Sequence, residues 1–383
     1  MKLLSFIGIA IISLLYACND ADYSIIDNQV YISNAEQNVG GSETIIMNNG
    51  ADISVLVRLA KKVDYDVEVE LGLAAELLEE YNQRNQTEYL MVPDFQFPTN
   101  AVVKIPAGEI SSSFKIVVND FETKGNQYAL PIKITKILNG GIDLANTQSR
   151  FIYALAKPLR VSVPVMSGFT ISGDLNENVS ALPKENWGIN VNEWSLECWT
   201  KLSAYNVNNQ AIFNLGSNQH EIYIRFGDAN SPYNYLQIKT LGGQIQTASN
   251  LVANRWYHWA FVYDGTTLTI YRDGEVDVKF QPPSPIGGNV RMDYVQMISS
   301  GSRYFPNRAH LAQVKLWKKA ISQTQIKNNM YFEINPKNTD LVGYWPMNEG
   351  SGNTFKDITG NGHDAAAGSN IIKSWDHNID FKN

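Results

Sequence analysis

The run KDITGNGHD, Lys356 to Asp364, gathers oxygen donors on a glycine-rich backbone. Asp357 and Asp364 supply carboxylates, Asn361 an amide oxygen, and Gly360 and Gly362 allow main-chain carbonyls to turn inward. Hard oxygen donors on a permissive backbone are what Ca²⁺ takes. Asp174, in FTISGDLNEN, is a candidate fourth ligand from the other end of the same region. The spacing is not that of an EF-hand. Two readings stand: a structural Ca²⁺ corner, or a Gly-rich turn with no ion.

A second constellation suits hydroxyl-rich ligands. In EIYIRF, strand alternation puts Ile222, Ile224 and Phe226 on one face and Glu221, Tyr223 and Arg225 on the other. A carboxylate, a phenol and a guanidinium on one exposed face can bind sugar hydroxyls. Flanking segments add Asn230, Tyr233 and Tyr235 on one side, and Arg303 and Tyr304 of SGSRYFPNR on another. Trp187, in ENWGIN, is a further flat platform for a pyranose. The plain alternative is a solvated sheet face with no ligand.

Bond-breaking chemistry finds less support. Glycosidic cleavage generally uses two carboxylates flanking the bond, about 5 Å apart for retention and wider for inversion. In known sandwich hydrolases such a pair comes from one strand with a Glu-x-Asp-x-x-Glu spacing, and the chain has none; Glu275 and Asp277 begin it, but Lys279 and Phe280 follow. His220, His258, His310, His363 and His377 do not form a zinc spacing. His258, between Tyr257 and Trp259, reads as a core imidazole, and Cys198, sharing a face with Leu196, as a small buried hydrophobe. The expectation is a non-catalytic protein without an organic cofactor.

The elements that must position these residues are mostly strands. Hydrophobic content of 44% with 18% charge describes a globular chain, and the net charge of −7 gives no basic stripe for nucleic acid. ISVLVRLAKKV alternates Ile53, Val55, Val57 and Leu59 inward, and YDVEVELGL does so with Val67, Val69 and Leu71. AVVKIPAGEISSSFKIVVND is two strands joined at Pro106-Ala107-Gly108. YALPIKIT is another, with Pro131 marking an edge. One helix, Ala74 to Asn85, buries Leu77, Leu78 and Tyr81. ALAKPLRVSVP is a linker, with the boundary near residue 158. Beyond it, Asp264-Gly265 and Asp273-Gly274 are hairpin turns around a strand with Leu268 and Ile270 inward. Ser322 to Tyr331 is a short closing helix, and GYWPMNEG is mostly core.

The first 18 residues are an address. Lys2 precedes an apolar run from Leu3 to Leu15 that is shorter than the roughly 20 residues needed to span a bilayer. Leu15-Tyr16-Ala17-Cys18 resembles the lipobox of bacterial lipoproteins, which implies acylation of Cys18 and an anchor in outer-membrane lipid. The following Asn19, Asp20, Ala21 and Asp22 resemble the surface-export signal of Bacteroidetes lipoproteins, implying an outward-facing protein. With Cys18 acylated, only Cys198 is left, so no intrachain disulfide forms.

Two further resemblances cover the rest. EEYNQRNQTEYLMVPD followed by VVKIPAGEISSSFKIVV resembles the all-β N-terminal domain of unknown function of Bacteroidetes surface lipoproteins, a spacer or accessory module. NEWSLECWTKL, NRWYHWAFVYDGTTLTIYRDGE, HLAQVKLWKKAISQTQI and LVGYWPMNEGSG, in that order, closely resemble a concanavalin A-like sandwich of the laminin-G type. The expected organisation is a signal at 1–18, a tether at 19–28, an N-terminal β-sandwich-like domain with one helix at 29–157, and a laminin-G-like jelly-roll sandwich at 158–383. The expected function is capture of oligosaccharides at the cell surface for partner glycan-degrading enzymes and a transporter. The alternatives are an adhesion module binding protein and a glycoside hydrolase with an unrecognised site.

Overall fold

The computed structural model describes residues 28–37, 41–85, 87–123, 126–168, 178–182, 187–216, 221–283, 290–298, 305–368 and 370–382. Cys18, Asp174, Arg303 and Tyr304 lie outside the described residues. By internal contacts the chain divides into two compact units, and its second unit holds Ala156–Asn383. Among the described residues no helix is long and apolar enough to cross a membrane.

The first unit is built from two sheets. One runs in the order Asp143–Leu144, Gln29–Ile32, Ala51–Leu59, Ser111–Val118, Phe95–Gln96. The other runs Ser42–Ile46, Arg150–Ala156, Tyr128–Ile137, Val67–Leu73, Ala101–Ile105. Period-two alternation sends Ile53, Val55, Val57 and Leu59 from one sheet, and Val67, Val69 and Leu71 from the other, into the core. The Pro106–Gly108 turn, with Gly108 at φ +80°, carries the chain from one sheet to the other. The expected helix forms at Ala75–Asn85 and buries Leu78, with Leu77 and Tyr81 packed beside it.

Pro131 corrects an expectation, for its strand is interior rather than an edge. In an antiparallel strand a residue's N and O face the same neighbour, and the Pro131 carbonyl accepts from Ala74 N (3.1 Å). Ala74 follows Leu73, the last residue of the Val67–Leu73 strand, so the absent proline N–H falls where the ladder has ended.

The second unit is a sandwich of two eight-stranded sheets. The first has the order Glu275–Phe280, Leu268–Arg272, Tyr257–Tyr263, Trp194–Leu202, Phe305–Trp317, Val161–Gly168, Ile372–Ile379, with Leu341–Trp345 also paired to Phe305–Trp317. The second has the order Gly243–Gln246, Leu236–Thr240, Ile222–Phe226, Gln210–Leu215, Val295–Met297, Val179–Ala181, Ala365–Ala367, Thr354–Phe355. Trp194, Leu196, Cys198, Trp259 and Phe261 of the first sheet share one core with Phe213, Ile222, Ile224, Phe226 and Ile238 of the second. Each fully buried side chain of this size contributes roughly 1.5–3 kcal/mol of transfer free energy. The Asp273-Gly274 turn has φ +54° and +81°, the pair of positive values that a type I′ hairpin requires.

The outer face of the first sheet is not left to solvent. The segment after Trp317 folds over it, and Ile321, Ile326 and Ile334 pack on Ala260, Val262 and Tyr344. Its helix, Gln323–Asn329, is capped by Ser322, whose hydroxyl accepts from Gln325 N while the Gln325 side chain accepts from Ser322 N. Beneath this cover lie Glu197, His258 and Lys315, each at most 2% exposed. Trp317 Nε1 donates to Glu197 Oε2 (3.0 Å), and Lys315 Nζ and His258 Nε2 stand 3.9 and 3.7 Å from the two carboxylate oxygens.

Candidate ligand-binding face

The Ile222–Phe226 strand alternates as its sequence requires: Ile222, Ile224 and Phe226 fill the core, and Tyr223 and Arg225 emerge on the outer face of the second sheet. Arg225 is held there by its neighbours. Its Nε and Nη2 both donate to Gln237 Oε1 (3.0 and 2.7 Å), and Nη1 donates to Asn209 Oδ1 (3.0 Å). Nη2 also lies 2.8 Å from Asp228 Oδ1, and Gln237 Nε2 donates to Asp228 Oδ2 (3.0 Å). The Tyr223 hydroxyl donates to the same Asn209 oxygen (2.8 Å), and the guanidinium stands 5.6 Å from the Tyr223 ring centre. Burial works to raise the Asp228 carboxyl, but hydrogen bonding from Gln237 and the Arg225 charge outweigh it and hold the group below its ordinary value.

The candidate tyrosines from the next loop divide by role. Tyr235 is 6% exposed, and its hydroxyl accepts from Asp228 N (3.0 Å), so it braces the network from inside. Tyr233 is half-buried and lies against Gly227. A Cβ at that glycine, already at φ +68°, would come 2.6 Å from the Tyr233 Cβ. Asn230 is exposed at the loop tip.

Strand register extends the face beyond the residues singled out from sequence. Gln244, Lys239, Tyr223, Asn214, Gln296 and Ser180 occupy successive partner positions on six neighbouring strands. Asn214 Nδ2 donates to Gln296 Oε1 across two of them (3.4 Å). The row carries amides, hydroxyls, one ammonium and one aromatic ring, and no carboxylate. Sequence reasoning missed Asn209, Asp228 and Gln237, and in the row Gln244, Lys239, Asn214, Gln296 and Ser180. The alternation of LQIKT, with Leu236 and Ile238 inward, was the signal for two of them.

The glycine-rich corner is held by hydrogen bonds. Asp357 Oδ1 accepts from Tyr344 N, Thr359 N and Thr359 Oγ1 (3.1, 3.1 and 2.7 Å), and Oδ2 from His363 N (3.1 Å). Asp364 accepts from Asp357 N (3.0 Å) and pairs with Lys356 (2.7 Å). Asn361 Nδ2 donates to the Leu341 and Val342 carbonyls (3.1 and 3.0 Å). The donor set does not fit Ca²⁺, because both Asp357 oxygens face N–H and O–H groups. Among the described residues no group of three His, Cys, Asp or Glu could hold a metal.

Trp187 lies away from the Tyr223 row, as part of the same corner. Its ring stacks on His363, with centroids 3.8 Å apart and planes 19° from parallel. His363 Nδ1 donates to the Val342 carbonyl (2.8 Å), and the His363 carbonyl accepts from Trp345 Nε1 (2.7 Å). Trp345 is fully buried, so the stacked pair is anchored to the core.

Residues 174–327 match the family model described as the concanavalin A-like lectin/glucanases superfamily, of laminin-G type, and residues 26–140 match a model of an N-terminal domain. No curated protein matches. Among solved structures, a candidate carbohydrate-binding protein from Bacteroides ovatus is 20% identical, with 92% of this chain and 99% of that one covered and a TM-score of 0.59. A heptameric SAP-like pentraxin from Limulus polyphemus is 12% identical over 44% of this chain and 81% of its own, with a TM-score of 0.35. At these identities the likeness with the Bacteroides ovatus protein speaks for the fold.

Proposed function

Starting from a chain that joins an N-terminal β domain to a concanavalin A-like lectin/glucanase sandwich, we propose a carbohydrate-binding protein that captures oligosaccharides on the outer face of its second sheet. The observation that carries this reading is the row Gln244–Lys239–Tyr223–Asn214–Gln296–Ser180, bordered by the fixed Arg225–Gln237–Asp228 network. Sugars offer hydroxyls in a plane and an apolar ring face, and specific sites meet them with a few convergent polar groups on a firm floor. Amides that both donate and accept suit such a ligand. Because Arg225 and Asp228 already satisfy one another, a ligand on this face meets the Tyr223 ring, Lys239, Gln244 and Gln296.

The protein is non-catalytic on this reading. Glycoside cleavage uses two carboxylates flanking the bond; on this face Asp228 is engaged with Arg225 and Gln237, which leaves Glu221 without a second free carboxylate in the network. Acylation at Cys18 places the protein on the outer membrane, where captured glycan passes to degrading enzymes and a transporter. A glycan-array screen of residues 19–383 followed by product analysis of each hit tests both parts. Related hits recovered uncleaved agree with the proposal; released shorter sugars, or no hits, oppose it.

A further inference from the structure

We propose a second ligand site, in the hollow walled by Trp187 and His363, that takes an anionic sugar unit: a pyranose carrying a carboxylate or a sulfate group. The hollow has a volume of about 540 Å³, within the range of small-ligand sites, and shares no residue with the Tyr223 row. Its lining includes Trp187, Ile189, Lys318, Lys337, Thr359 and Asn361.

Among the described residues, the formally charged side chains lining the hollow are Lys318 and Lys337, on a chain whose net charge is −7. Among the described residues neither ammonium has a carboxylate within ion-pair reach, whereas Lys319 pairs with Asp340 (3.9 Å) and Lys356 with Asp364 (2.7 Å). The nearby Asp357 carboxylate is not on the lining, and its two oxygens are engaged by four N–H and O–H donors. Two uncompensated cations in one concavity attract an anion, and solvent ions weaken that attraction as salt rises.

The stacked indole and imidazole, with Ile189, Leu341 and Val342, make an apolar wall against which a ring can lie. Thr359 and Asn361 stand on the same lining as hydrogen-bonding groups. The loop presenting Lys337 is fixed in advance: Asn335 Oδ1 accepts from Lys337 N, and Asn338 Oδ1 accepts from Asp340 N (2.9 Å each). A ring, a hydroxyl pattern and a negative group are thus each met by something already in place.

The experiment is titration calorimetry at low and moderate salt with three tetrasaccharides: oligogalacturonate (carboxylate), chondroitin sulfate (sulfate with carboxylate) and neutral cellotetraose. Binding of at least one acidic probe, weakening with salt and falling about tenfold or more in Lys318→Gln/Lys337→Gln but not in Tyr223→Ala, is the expected result. Both lysines are exposed, so the double variant keeps the fold; Trp187→Leu, with a thermal melt as control, gives an independent loss of the stacking wall. Preference between the two acidic probes identifies the anionic group. The proposal is overturned if acidic probes bind the lysine variant as well as the parent, if Tyr223→Ala abolishes their binding, or if no acidic probe binds. A neutral ligand that binds through the sheet face while acidic probes fail removes this site and leaves the main function standing.

Discussion

Arg225 places two guanidinium nitrogens on the single side-chain oxygen of Gln237, at 3.0 and 2.7 Å, in a position that leaves Arg225 only 9% exposed. A lysine cannot reproduce that fork. Arg225→Ala also takes one partner from the Asp228 carboxylate, which keeps Gln237 Nε2, and one from the Asn209 oxygen, which keeps the Tyr223 hydroxyl. We expect Arg225→Ala to destabilise the second unit by about 2–3 kcal/mol, with Arg225→Lys only partly restoring it. Chemical denaturation checks this; an unchanged midpoint would mean the network is not structural. Loss of ligand binding in an Arg225 variant is therefore a folding effect first.

The buried Glu197–His258–Lys315 group predicts a pH dependence. Burial, with the Lys315 charge adding to it, pushes His258 well below its ordinary value. A histidine depressed in the folded state is neutral there, while the unfolded chain binds the proton once pH drops below about 6.5. Its contribution to stability is thus full above about pH 6.5 and is lost as pH falls, by about 1.4 kcal/mol per unit, until the folded value is reached. Denaturant midpoints across the acid range should show a steeper decline in the parent than in His258→Gln. Equal slopes would contradict the assignment.

The Asp357 corner predicts indifference to chelators. With its oxygens satisfied by Tyr344, Thr359 and His363, a melting curve should not shift when EDTA or Ca²⁺ is added. Asp357→Ala leaves buried donors unpaired and should cost about 3 kcal/mol. A Ca²⁺-dependent rise in melting temperature would restore the metal reading.

Cys18 predicts a lipid. Expressed in a bacterium that processes lipoproteins, the full chain should take up an alkyne fatty acid label and partition into detergent, and Cys18→Ser should do neither. Labelling that persists in Cys18→Ser would refute the anchor.

What was legible in the sequence, and what was not, follows from the range of each interaction. Alternation in ISVLVRL or EIYIRF is local, so the core faces, and the emergence of Tyr223 and Arg225, could be read from a few residues. The destination of the Arg225 charge could not, since Asn209 and Gln237 arrive from other strands and loops. Glu197 and Lys315 alternate opposite the core and look solvent-facing, yet both are buried, with Trp317 bonded to Glu197 and the Tyr344 ring beside the Lys315 ammonium. In KDITGNGHD the same oxygens serve a cation or a ring of N–H donors, and composition does not distinguish the two. The Tyr344 and Val342 backbone that decides it comes from the neighbouring strand.

The most direct measurement is calorimetric titration of the strongest array hit into the parent and into Tyr223→Ala/Lys239→Ala/Gln244→Ala. These side chains emerge from the outer face, and because Tyr223→Ala gives up the hydrogen bond to Asn209, a melting curve accompanies the titration. At least about a hundredfold loss of affinity, roughly 2.7 kcal/mol, is expected with the fold intact. Equal affinity in the two proteins would show that the sheet face is not where the glycan binds.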